Sequence, residues 1–156
     1  LDALPQVREW TFCIVKPDAL LRGIAGRIIT RIEDTHLRVT GFQTRHKSPD
    51  WARNHYLHLQ HKPFFPQLVE FMTAHPILGF LVSGPCAIKR MRALAGNTLP
   101  HEAAPGTIRG DFGGYPAMYN CIHVSDSLVT AQREHRLFMD VETDQVYKDL
   151  EKNEDD

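Results

Sequence analysis

A sheet of only four strands is all this chain can build. Its β-rich runs are residues 10–15, 37–44, 77–82 and 121–124, and the stretches between them read as helix or loop. The first is aromatic and branched, and Lys16-Pro17-Asp18 stops it, because proline cannot extend a central ladder. Residues 77–82 are almost continuously apolar, the composition of a buried strand. Ile24, Ile28 and Ile32 recur every fourth residue with Arg27 and Arg31 on another face, which predicts an amphipathic helix. Ser48-Pro49 reads as an N-cap with proline at the first helical position, opening a helix to about His58. Pro63-Phe64-Phe65-Pro66 interrupts that pattern before Leu68, Phe71 and Met72 resume it. Gly84-Pro85 is expected to start a helix carrying Ile88, Met91, Arg92 and Ala95, closed by Gly96. A final helix, capped by Ser125 or Asp126, runs to about Phe138.

The resulting order is β-α-β-α-α-β-α-loop-β-α, without repeat or linker, and therefore one domain. The loop, residues 97–120, is rich in Gly and Pro, and loops of that length usually serve a function or are disordered. Neither G-x-G-x-x-G nor G-x-x-x-x-G-K-[ST] follows a strand, which weighs against a doubly wound parallel sheet. A four-stranded α+β sandwich of the split βαβ kind fits better. If this chain handles phosphates, it does so with side chains.

Composition narrows the class. The 156 residues include 18 basic and 19 acidic ones, enough length for one well-formed core. Three cysteines (Cys13, Cys86, Cys121) cannot all pair, which points to a reducing, cytoplasmic setting. No apolar run reaches the ~18–20 residues that span a bilayer, and residues 1–9 lack a secretory pattern. From Asp140 onward eight acids face two lysines, while residues 1–139 carry a net charge of +5. A cationic body suits an anionic small ligand. It would suit nucleic acid less well, because the cations are scattered and not interleaved with aromatics. The acidic tail holds Val146, Tyr147 and Leu150 at the spacing of a short amphipathic helix, expected to dock on the body. Histidines 46, 55, 58, 61, 75 and 101 show no zinc-ligand spacing with the cysteines, so no protein-bound metal is expected.

Three segments join reactive residues to unusual local sequence: Val15-Lys16-Pro17-Asp18, the stretch 98–111, and Asn120-Cys121-Ile122-His123-Val124-Ser125-Asp126-Ser127. Each has a plain structural explanation by itself: a solvated lysine, an arginine bracing its own loop, a core histidine. Together with Lys62-Pro63-Phe64-Phe65, Gly96-Asn97-Thr98 and Pro105-Gly106-Thr107-Ile108-Arg109-Gly110-Asp111-Phe112, in this order, they closely resemble the nucleoside diphosphate kinases.

The resemblance covers residues 9 to about 138 and implies a ferredoxin-like α/β sandwich with a four-stranded antiparallel sheet. The kinase domain would be residues 9–139, between an N-terminal tail (1–8) and the acidic segment (140–156). It implies ping-pong transfer of a γ-phosphate, chiefly from ATP, to nucleoside diphosphates through a phosphohistidine. His123 matches the nucleophile, a role suited to an imidazole that is neutral near pH 7. Glu134 matches the carboxylate that orients it, Ser125 the serine bonded to that carboxylate, and Tyr56 the tyrosine beside the histidine. Arg92, Thr98 and Arg109 match phosphate-holding residues, Lys16 and Asn120 contacts to the ribose and phosphate bridge, and Phe64 the platform under the base. Phe65 is expected to be core, and Arg90, which matches no site position, to be surface.

The resemblance further implies Mg2+ brought by the nucleotide, with Asp126 within indirect reach, and a homo-oligomer, a hexamer, built partly through the 97–119 loop. Membrane and specific nucleic-acid partners are not expected. A regulatory nucleotide-binding member of the same fold is the alternative. The chain departs from the pattern at Val124, where glycine or alanine is usual, and in a 109–123 interval one residue longer. There Gly113-Gly114-Tyr115-Pro116 is atypical and leaves Ala117 or Met118 to face Phe64.

Overall fold

The computed structural model describes residues 8–140. The expected tail helix near residues 146–150 lies outside them. Strands β1 (Arg8–Val15), β2 (Arg38–Arg45), β3 (Ile77–Pro85) and β4 (Ile122–Val124) form one sheet in the order β2-β3-β1-β4. Every neighbouring pair is antiparallel. β1 already begins at Arg8, a residue expected in the N-terminal tail.

β1 occupies the centre because both of its faces are apolar. Trp10, Phe12 and Ile14 enter one core and Cys13 and Val15 the other, as the two-residue strand period requires. The second core is closed by α2 (Ala25–Asp34) through Ile28 and Ile32, and by α5 (Ala87–Ala95) through Ala87, Met91 and Ala95. These helices make the β1-α2-β2 and β3-α5-β4 connections, the two split βαβ units of the ferredoxin-like arrangement. The first core lies under α3 (Pro49–His55), α4 (Phe65–Thr73) and α7 (Leu128–Met139), which supply Trp51, Leu68, Met72 and Phe138. Phe65 packs on this core partly buried, as expected.

The α7 approach is close. A Cβ at Gly79 in β3 would lie 2.5 Å from the Phe138 ring. Gly79→Ala is expected to destabilise the protein by ~1–3 kcal/mol through overpacking, read as a lower urea midpoint. Lys47 secures the far end of α7. Its buried Nζ donates to Phe138 O at 2.8 Å and pairs with Asp140 Oδ2 at 2.5 Å.

Several boundaries differ from expectation. Pro17 begins a helix, α1 (Pro17–Leu21), and does not merely stop β1. The α3 helix ends at His55, followed by a 3-10 turn, Leu57–Leu59. β3 runs through Pro85, so α5 starts two residues later than Gly84-Pro85 suggested. Glu9 Oε1 accepts the Ile88 N–H at its first turn. The cap of α7 is Ser127, whose Oγ accepts the Thr130 N–H, and neither Ser125 nor Asp126. The long loop contains a 3-10 turn, Pro100–Glu102, and a short helix, α6 (Ile108–Phe112), capped by Thr107. Arg90 is not free surface: its guanidinium donates to Thr35 O and, at 3.2 Å, to Pro85 O.

Candidate active site

Register places the central histidine. Along β4, Ile122 pairs with Val15, His123 with Ile14 and Val124 with Cys13. Partners across an antiparallel pair share a face. His123 therefore projects with Ile14 toward α3 and α7, while Val124 packs into the opposite core. That is how the chain tolerates a branched side chain next to His123.

The approach to β4 is a constrained turn. Cys121 has φ +73°, the left-handed region uncommon for non-glycine residues. Asp18 Oδ2 accepts its N–H at 3.0 Å, and its carbonyl accepts Lys16 N–H at 2.8 Å. This turn holds Asn120 over Lys16: Lys16 Nζ donates to Asn120 Oδ1 at 2.8 Å, and Asn120 Nδ2 donates to Thr98 O at 2.9 Å. One chain of bonds thus links three of the expected site residues.

Glu134, two turns into α7, is buried and bonded to His123 Nε2. Burial, and then Lys16 and Arg109, hold the His123 imidazole well below its usual range. A neutral ring that gives its Nε2–H to a carboxylate keeps its lone pair on Nδ1, the nitrogen suited to attack. Burial raises the Glu134 carboxyl, and neighbouring His55 opposes that rise. Tyr56 stands edge-on to His123 at 6.2 Å between ring centres.

Lys16, Arg92 and Arg109 line one cleft of about 970 Å³ together with Thr98, Asn120 and His123. Burial lowers the Lys16 ammonium to about 8 and, with Arg92 adding to it, the Arg109 guanidinium to about 10. Arg109 also braces the loop: Nη1 donates to Gly96 O at 2.9 Å and Nη2 to Ile122 O at 2.7 Å. Its buried Nε has no partner. Phe64, 43 % exposed, lines the same cleft with Leu68, Tyr115, Pro116, Ala117 and Met118. Both Ala117 and Met118 therefore reach the expected base site, and the atypical loop adds Tyr115. Of the lining carboxylates Glu134 is committed to His123, and Asp126 is exposed.

Two findings depart from the sequence reading. Ser125 is buried, but its Oγ makes no hydrogen bond, so the expected serine–carboxylate contact is not formed. Beside the carboxylate stands His55, whose Nε2 lies 3.4 Å from Glu134 Oε2 and whose ring packs edge-on against His123. His55, His123 and Glu134 bring one polar side-chain atom each within 4.8 Å of one another, both rings turning Nε2 to the same carboxylate oxygen. This cluster arises from three separate elements, so spacing along the chain could not reveal it. The visible signal was the pairing of Trp51 with His55 one helical turn apart on an otherwise apolar stripe.

Comparison with known proteins gives the same answer as the site. The family model for nucleoside diphosphate kinase matches residues 9–143. The nucleoside diphosphate kinase of Pyrococcus abyssi is 44% identical over 133 residues, covering 84% of each chain. The crystal structure of the Aquifex aeolicus nucleoside diphosphate kinase superposes with a TM-score of 0.80 at 36% identity, covering 85% of this chain and 95% of that one. The halophilic nucleoside diphosphate kinase from Halobacterium salinarum, solved in complex with CDP, gives 0.79 at 40% identity, over 83% and 86%. With a ferredoxin-like sheet, a carboxylate-held histidine and three cations lining one cleft, this chain belongs to the nucleoside diphosphate kinase family.

Proposed function

We propose that the protein moves the γ-phosphate of a nucleoside triphosphate, chiefly ATP, onto nucleoside diphosphates in two half-reactions through phosphorylated His123. The observation that carries this reading is the bond from His123 Nε2 to Glu134 inside a cleft lined by Lys16, Arg92 and Arg109. In the first half-reaction the Nδ1 lone pair forms the bond to phosphorus. The bond from phosphorus to the bridging oxygen breaks, and its electrons leave with the nucleoside diphosphate. The second half-reaction is the reverse with a different diphosphate as acceptor.

Phosphoryl transfer asks the protein mainly for position and charge. Arg92, Thr98 and Arg109 hold the phosphates, the arginine forks matching their oxygens as a lysine cannot. Lys16 and Asn120 reach the ribose and the phosphate bridge. Tyr56 packs the nucleophile, and Glu134 fixes its tautomer. The reading includes Mg2+ carried on the nucleotide, where it would neutralise phosphate charge and keep mostly water ligands, with Asp126, the exposed carboxylate of the cleft, within indirect reach. A homohexamer and a cytoplasmic location belong to the same reading. The CDP complex of the Halobacterium relative supports a nucleoside diphosphate as ligand. A regulatory member without turnover would be expected to have lost the nucleophile or a phosphate clamp, and both are present here.

Brief incubation with γ-labelled ATP tests the reading. Label that is acid-labile and alkali-stable, and that chases onto added diphosphate, is the expected result. No label, or label stable to acid, would overturn it.

Phe64 serves as the face on which the base stacks. Stacking ignores base edges, so Phe64→Ala is expected to weaken every nucleotide by a similar ~1–3 kcal/mol. Equilibrium titrations with adenine, guanine, cytosine and uracil diphosphates would check this. A loss confined to one base would mean that Phe64 takes part in edge recognition.

A further inference from the structure

His55 is a costly residue for its place. Its ring is 1 % exposed, enclosed by Trp51, Tyr56 and His123 at centroid separations of 4.9, 4.5 and 4.5 Å. Neither ring nitrogen has a formed hydrogen bond. A phenylalanine would fill such a slot without two polar atoms to desolvate, and buried polar groups left without a partner oppose folding. One polar group faces it: Nε2 lies 3.4 Å from Glu134 Oε2, the same oxygen that His123 Nε2 contacts. The serine expected to support this carboxylate leaves its hydroxyl unbonded.

We propose that His55 is a positioning residue that donates its Nε2–H to Glu134 Oε2, holding the carboxylate charged and aimed at His123 during phosphoryl transfer. The role rests on the phosphohistidine reading above. Attack by Nδ1 leaves the His123 ring cationic, its proton still on Nε2 and directed at Glu134, so the carboxylate must be an anion when the bond to phosphorus forms. Burial works against that anion, and a neutral N–H donor closing the 3.4 Å gap to it restores it without adding charge. His55 is held neutral by the same burial, with the His123 cationic form adding to the effect. The charged and titratable groups around Glu134 are His55 from α3, Tyr56 at its end, His58 from the 3-10 turn after it, Cys13 from β1, His123 from β4, Asp126 before α7 and Arg133 on α7. Of these His55 and His123 are the ones whose ring nitrogens lie within 4 Å of its Oε2.

Two substitutions separate donation from packing. His55→Phe keeps a ring and removes the donor; His55→Gln puts an amide N–H near the position of Nε2. Single-turnover self-phosphorylation by ATP should be followed from pH 5 to 9, with nucleotide affinity and melting temperature measured alongside. His55→Phe is expected to slow phosphorylation about ten-fold or more, as for loss of one hydrogen bond to a charged group, with nucleotide affinity and fold retained. Its acidic limb should move to higher pH, because a carboxylate without its donor protonates more readily. His55→Gln should recover most of the rate and the original limb.

An unchanged rate and limb in His55→Phe would overturn the role. Equal slowing in both variants with the limb unmoved would reduce His55 to packing, and overturn it too. Nitrogen-15 spectra of the histidines in the unsubstituted protein give a check independent of folding: His55 should be neutral with its proton on Nε2, and a proton on Nδ1 would exclude the donation. If the unsubstituted protein fails to label at all, the phosphotransfer reading falls first and the His55 role with it.

Discussion

His123→Ala abolishes both self-labelling and transfer in the expected result, with the fold intact. Its neighbours explain the intact fold. The β4 backbone still pairs with β1 through Ile122 and Val124, both buried, whereas the His123 ring is only partly covered. Loss of activity should be complete because no other group can take over. Within the cleft His55 is turned toward Glu134, His58 lies on the exposed 3-10 turn, and Lys16 is bound to Asn120. The purified variant should also lose a little acid sensitivity. His123 stays neutral in the folded protein well below pH 6.5, while its unfolded counterpart takes up a proton there. Removing it removes one proton that favours unfolding as the pH falls. Transfer above a trace in this variant, with label still found on protein, would sink the assignment of the nucleophile.

Arg109→Lys comes next in size. The guanidinium does two jobs, bracing Gly96 and Ile122 carbonyls while lying in the cleft with Nε unpartnered. A lysine keeps the charge but can reach at most one carbonyl and offers no fork to phosphate oxygens. The expected loss in kcat/KM is ~2–4 kcal/mol, as for removing one preorganised donor. Steady-state kinetics and thermal melts should be read together. Wild-type kcat/KM with a lowered melting temperature would mean that Arg109 only braces its loop.

What could be read from the sequence was whatever repeats locally. The aromatic and branched run of β1 and the four-residue spacing of Ile24, Ile28 and Ile32 foretell strand, helix and sandwich, and the fold agrees. Pro17–Leu21 and Ile108–Phe112 are too short to show a period, so α1 and α6 passed as a stop signal and a loop. Two serines and an aspartate in three consecutive residues, Ser125-Asp126-Ser127, make the α7 cap ambiguous. Only the bond to the Thr130 N–H distinguishes Ser127. The expected site residues other than Ser125 do line the cleft. Motif matching named them, and no local property would have done so. Ser125 and His55 show the limit from both sides. Whether a hydroxyl meets a carboxylate, or a core histidine turns toward one, depends on how α3 and α7 dock, a distance of 79 residues in sequence from His55 to Glu134.

The central position of β1 bears on the order in which the protein can be made. Its neighbours are β3, beginning at Ile77, and β4, ending at Val124. A ribosome therefore releases this strand, buried on both faces, first and both of its partners much later. Helices α2, α3 and α4 emerge in time to lie on its two faces, but until β3 has emerged both edges of β1 are open, the feature that invites pairing with other chains. Its second edge stays open until His123 itself appears. His123 thus arrives with the strand that completes the sheet, and a nascent chain short of it has neither a complete cleft nor a finished sheet.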